Sequence, residues 1–140
     1  MAVEKRSKDG PKKKISPPQQ RQIYDPRYFA WPSRFWMLFN VFGIGLLIAS
    51  TLSPARIPTF LGPIATYGRF MGTTYPNACV YLCAFTLIAH ITQAAFAGKV
   101  CHDRGMATST TVKWVFSTLL FGFSSLVLRL LPHKPVLKTA

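Results

Sequence analysis

One apolar stretch of this chain carries residues whose types and spacing invite chemistry. Cys79, Cys83, Thr86, His90, Gln93 and Ala97 follow one another at steps of 4, 3, 4, 3 and 4, which places them on one stripe of a helix. An imidazole within hydrocarbon, His90, can shuttle a proton or ligate a metal or haem. The apolar stretches hold no second histidine and no carboxylate, so a neutral histidine making one interhelical bond is the simpler reading. Ligation of a metal by Cys79, Cys83 and His90 together fails on distance, since Cys79 lies about 16 Å along the helix from His90. A second group, Cys101-His102-Asp103-Arg104-Gly105, contains a thiol beside an imidazole. A nucleophile and its base come from separate elements rather than adjacent positions, so this group reads as a polar turn among lipid head groups. No phosphate-cradling glycine loop and no paired intramembrane carboxylates accompany either group. The expectation is a chain without catalytic residues, cofactor or metal, and not an enzyme.

The elements that would position these residues follow from hydropathy. A polar head of 34 residues holds nine of the seventeen Lys and Arg residues, and apolar runs follow at about 35–53, 77–97 and 111–131. A membrane span needs about 20 apolar residues to cross roughly 30 Å of hydrocarbon. The reading is therefore an all-α membrane protein with three transmembrane helices, at about 33–52, 77–97 and 111–131. Residues 1–22, rich in Lys, Pro, Gln and Ser, cannot bury enough surface to offset ordering entropy and read as a disordered basic tail. Residues 23–34 mix Tyr24, Tyr28, Phe29 and Trp31 with Arg27 and Arg34, a composition suited to the membrane–water interface. Residues 57–73, interrupted by proline and glycine, read as an interfacial or re-entrant loop, with the helix restarting near Pro76. Residues 132–140 form a short tail.

A net charge of +13 raises nucleic acid as a partner, but no nucleic-acid-binding motif accompanies the lysines. Anionic lipid is the better match, with Lys12, Lys13, Lys14, Arg27 and Arg34 at head groups. Cys101, beside basic residues at a membrane edge, is a candidate for palmitoylation. Three spans place twelve basic residues on the N-terminal side against five on the other, which favours a cytosolic N-terminus. Small and weakly polar stripes also mark the first span (Asn40, Gly43, Leu47, Ser50) and the third (Thr118, Gly122, Ser125, Arg129). Helices approach closely along such stripes. Asn40, His90 and Thr118 would lie at one depth, roughly 10 Å from one membrane face. They are expected to form an interhelical polar layer in which His90 meets Asn40 or Thr118, with Gln93 a turn nearer the surface.

His90, Cys101 to Met106, and the run Lys113-Trp114-Val115-Phe116-Ser117-Thr118-Leu119-Leu120-Phe121-Gly122-Phe123-Ser124-Ser125-Leu126 resemble the transmembrane protein 254 family. There too a histidine stands eleven positions before a cysteine at the end of a span, and Leu61-Gly62-Pro63 matches a Leu-Gly-Pro in that family's first loop. The resemblance covers about residues 60–127. The long basic head, and Gln93 where a Glu stands in the family, are departures. The resemblance implies a small multi-pass protein of endoplasmic-reticulum-type membranes and supplies no functional residues. The expected role is an accessory or scaffold subunit of a membrane lipid-metabolising complex, bound to the bilayer and another integral membrane protein. The rivals are a small oligomeric carrier or channel lined by His90 and Gln93, and an accessory subunit of a mitochondrial inner-membrane complex.

Overall fold

A computed structural model describes residues 22–136; Lys12, Lys13, Lys14 and nearly all of the basic tail lie outside them. Helix α1 spans Arg34–Leu52 and α3 spans Pro76–Asp103. Both are long and apolar enough to cross a membrane, yet only 6% and 11% of their apolar windows are buried. A soluble protein would hide such helices in its core. These turn Leu38, Phe39, Phe85 and Ile88 outward, as a hydrocarbon solvent permits.

The proline- and glycine-rich connector departs from the expected loop. After two 3₁₀ turns at Pro54–Arg56 and Thr59–Leu61, helix α2 runs over Pro63–Thr74. Gly62, at φ 57, turns the chain, and Pro63 at the first helical position omits only an N–H that would be unsatisfied anyway. The glycines that look like helix breakers are contact points. Gly68 faces Ser50, Ile57 and Leu46 on one side, and Gly72 meets the Ser50 carbonyl and Pro54. Arg69 donates to the Ile57 carbonyl and holds the connector against the helix. Adding a Cβ at Gly72 drives it into backbone, so Gly72→Ala is expected to cost about 1–3 kcal/mol, read as a lowered thermal midpoint in detergent.

Helix α3 starts at Pro76, as expected, but continues through the anticipated connector to Asp103, where Lys99 pairs with Asp103 at 2.9 Å across one turn. The largest correction concerns the third span. Helix α4 covers Thr108–Phe121 and stops at Gly122, whose φ of 52 and ψ of −125 are open only to glycine. A returning leg follows, α5 at Phe123–Ser125 continued by a π-helical stretch at Leu126–Leu130. It runs back alongside α4: the Ser117 and Ser125 hydroxyls lie 2.8 Å apart, whereas a continuous helix would separate them by about 12 Å. At its end Arg104 donates to the carbonyls of Leu130 and Leu131, capping the last turn from the C-terminus of α3. The stretch read as a third crossing is a helical hairpin. Its α4 leg is about 21 Å long, too short for a bilayer.

Residues 22–33 close the hairpin end. The Ile23 carbonyl accepts from the Val136 N–H at 2.7 Å, and the Pro26 carbonyl accepts from the Ala107 N–H at 3.0 Å. Trp114 Nε1 donates to the Tyr28 carbonyl at 2.9 Å. Tyr28 stacks on His133 at 3.6 Å between ring centroids, and Arg104 lies 4.7 Å over Tyr24. Both described ends of the chain therefore sit at one face of the bundle. Burial, then the nearby Arg104 cation, push the His133 imidazole below its ordinary 6.5, against the opposing pull of Asp25. A base held neutral in the fold contributes its stability above the unfolded value and loses it as pH falls below 6.5. Hydrogen exchange in residues 22–31 is accordingly expected to speed up, relative to that in α3, between pH 7.5 and pH 5.5.

Candidate functional site

The polar residues expected to share one layer gather around Gly122, though not in the pairs anticipated. Breaking a helix within hydrocarbon frees backbone carbonyls that water cannot reach. Three carbonyls of the last turn find partners in the fold. The Gly122 N–H takes the Thr118 carbonyl at 2.7 Å. His90 Nδ1 lies 2.7 Å from the Leu119 carbonyl, and the Ser124 hydroxyl donates to the Phe121 carbonyl at 2.9 Å. Since a carbonyl only accepts, Nδ1 carries the proton in this contact. His90 thus bonds to the backbone next to Thr118 rather than to Thr118 or Asn40. Asn40 is committed to the Trp36 carbonyl and to Ser124 Oγ, at 2.8 and 3.4 Å. Thr118 turns toward Ser125 at 3.5 Å.

Gly122 is enclosed. A Cβ built on it would stand 2.8 Å from Gln93 Oε1 and 2.9 Å from His90 Nε2. Both side chains close over the glycine Cα, and Gln93 Oε1 is buried without a hydrogen-bond partner among the described residues. The arrangement holds a hairpin tip inside the bundle, with most of its polar atoms paired to backbone or to one another. Ser117 and Ser124, fully or almost fully buried here, belong to the same network and were not singled out by sequence. Their signal was faint, since serines seven apart share a face of a continuous helix as well.

Cys101 corrects the acylation reading. It is fully buried against Ala97, Met106, Trp114 and Leu130, so its thiol is shut away from an acyl donor in this fold. The hairpin explains this, because the returning leg covers the edge where Cys101 would otherwise emerge. Arg27 and Arg34 are exposed, as a contact with lipid head groups requires. Cys79 and Cys83 stay free thiols, with Cys83 Sγ 3.2 Å from the Thr51 hydroxyl. His102 and Asp103 are exposed.

Compared with known families, residues 35–131 match the model for transmembrane protein 254. The match begins at α1 and ends with the returning leg, so it covers both long helices and the hairpin. The chain belongs to the transmembrane protein 254 family. The membership extends the resemblance seen over residues 60–127 to the whole helical region, and with the two exposed apolar helices it marks an integral membrane protein. No curated protein and no solved structure matches the chain.

Proposed function

We propose that this member of the transmembrane protein 254 family is a non-catalytic accessory or scaffold subunit of a membrane lipid-metabolising complex. The observation that carries the reading is how the mid-membrane polar groups are used. His90, Asn40, Ser117, Thr118, Ser124 and Ser125 are occupied with the backbone and with one another around the Gly122 turn. Groups spent on holding a hairpin are not free to carry a substrate across. The partner would be another integral membrane protein packed against the exposed apolar helices. Exposed Arg27 and Arg34 would meet anionic lipid, as would Lys12, Lys13 and Lys14.

We place it in the endoplasmic reticulum with a cytosolic N-terminus. Seven of the nine basic residues among positions 22–136 lie toward the hairpin face, and only Arg56 and Arg69 toward the other. Such asymmetry favours the cytosolic side for the richer face. Affinity capture of the full chain in mild detergent tests the role. A membrane lipid enzyme should co-purify with the wild type and be reduced in His90→Leu, which unpairs the Leu119 carbonyl. If His90→Leu instead abolishes a solute flux in proteoliposomes while expression and capture stay normal, the carrier reading replaces this one.

A further inference from the structure

The hairpin leaves a gap that a third spanning helix would have filled. Beyond Gly122 the halves of α1 and α3 nearer the connector pack against α2 along one side, and where α2 does not reach, a cleft of about 440 Å³ opens between them and the end of α4. Its walls include Ile44 and Ile48 of α1, Thr86 and His90 of α3, and Leu119 and Leu120 at the end of α4. It lies in the apolar lengths of both helices, so its mouth faces hydrocarbon rather than water.

One wall group has no assigned role. Thr51 and Thr92, the other threonines of the two long helices, donate to the carbonyl four residues back at 2.8 Å, as threonines in membrane helices do. Thr86 makes no such bond among the described residues and lines the cleft instead. His90, one turn further along the same face, already gives its Nδ1 to the Leu119 carbonyl. The cleft therefore offers an apolar volume with one free hydroxyl, a group that both donates and accepts.

We propose that this cleft binds one neutral, mono-hydroxylated lipid of sterol type, its ring body between α1 and α3 and its hydroxyl paired with Thr86. The chemistry narrows the occupant. A charged head group cannot leave water for this depth, where nothing compensates its charge. A plain acyl chain would fill the volume but leave Thr86 unpaired. The volume suits a single compact molecule, and two-chain glycerolipids exceed it. This inference concerns the isolated chain and does not depend on the scaffold role.

The test uses the full chain alone in nanodiscs, so that no partner protein enters the result. The probes are a photoreactive sterol with a free hydroxyl, the same sterol as its methyl ether, and a phosphatidylcholine with a photoreactive acyl chain. The free sterol should label peptides containing Ile44–Ile48 and Cys83–His90, and an excess of unlabelled sterol should compete. Labelling should fall about fivefold with the methyl ether and with Thr86→Val, as expected for one lost hydrogen bond. Thr86→Ser should restore it, and Leu119→Trp, which fills the cleft, should abolish it. Thermal unfolding of each variant verifies that it is folded. Equal labelling by the phosphatidylcholine probe, displacement by diacylglycerol at matched concentration, or indifference to Thr86→Val in a folded variant would each overturn the proposal. So would sterol labelling confined to other surfaces.

Discussion

Replacing Gly122 with alanine is expected to lower the unfolding free energy of the detergent-solubilised protein by about 2–4 kcal/mol. Two independent costs meet at this position. The backbone sits at φ 52, ψ −125, a conformation that a side chain makes unfavourable by about 1–3 kcal/mol. The added Cβ would also stand within 2.9 Å of Gln93 Oε1 and His90 Nε2, and packing it in disturbs the contact that satisfies the Leu119 carbonyl. Neighbouring glycines separate the two terms. Gly105 has φ 65 with nothing near its Cβ position, so Gly105→Ala should show the backbone term alone. Gly45 lies within α1 with open space around it, and alanine is the better helix former there, so Gly45→Ala should be neutral or slightly stabilising. The double substitution Gly122→Ala with Gln93→Ala should recover part of the steric term and none of the backbone term. If Gly122→Ala behaves like Gly45→Ala, the chain is not broken at Gly122, and the third stretch is one continuous helix.

Much of this fold was legible from hydropathy, and what was not has a physical reason at each place. The two long helices announced themselves because lipid-facing helices are apolar all round, and no tertiary detail is needed to read that. Near Gly122 the same signal misled. Residues 111–131 are uninterrupted by proline or by any acidic side chain, so length and composition equal those of a span. What decides between a span and a hairpin is one backbone torsion at one glycine, and a lone glycine within a helical pattern has no visible φ. Helix α2 was hidden for the opposite reason. Gly68 and Gly72 lower helix propensity locally, but the loss is offset by close approach to α1, which depends on residues distant in sequence. The polar layer was half legible. Intramembrane polar residues must find partners, and Asn40, His90 and Thr118 did so, but side-chain periodicity says nothing of backbone carbonyls freed by a break. The partner of His90 was such a carbonyl. Cys101 was judged by its neighbours in sequence, while part of the cluster that buries it, Trp114 and Leu130, lies thirteen and twenty-nine positions away.

Epitope tags placed before Met1 and after Ala140 are expected on the same face of the membrane, with a tag inserted between Arg56 and Pro58 on the opposite face. On the proposed topology helix α1 crosses once and α3 crosses back, as their lengths of 19 and 28 residues allow. Helix α4 would then enter the bilayer and the returning leg bring the chain out where it went in. Three bonds hold that exit beside the C-terminus of α3 and the N-terminal segment: Arg104 to the Leu130 carbonyl at 2.6 Å, Arg104 to the Leu131 carbonyl at 3.2 Å, and Val136 N–H to the Ile23 carbonyl at 2.7 Å. A third full crossing would carry Leu131 some 30 Å to the opposite face and break all three. The charge pattern agrees, because the hairpin removes Arg129 and Lys134 from the face they would otherwise share with Arg56 and Arg69 and leaves that face nearly free of positive charge. Protease added to sealed microsomes gives an all-or-none result. Both terminal tags should be digested together, or protected together, while the connector tag behaves oppositely. Digestion of one terminal tag with full protection of the other would restore three crossings and remove both the hairpin and the cleft beyond it.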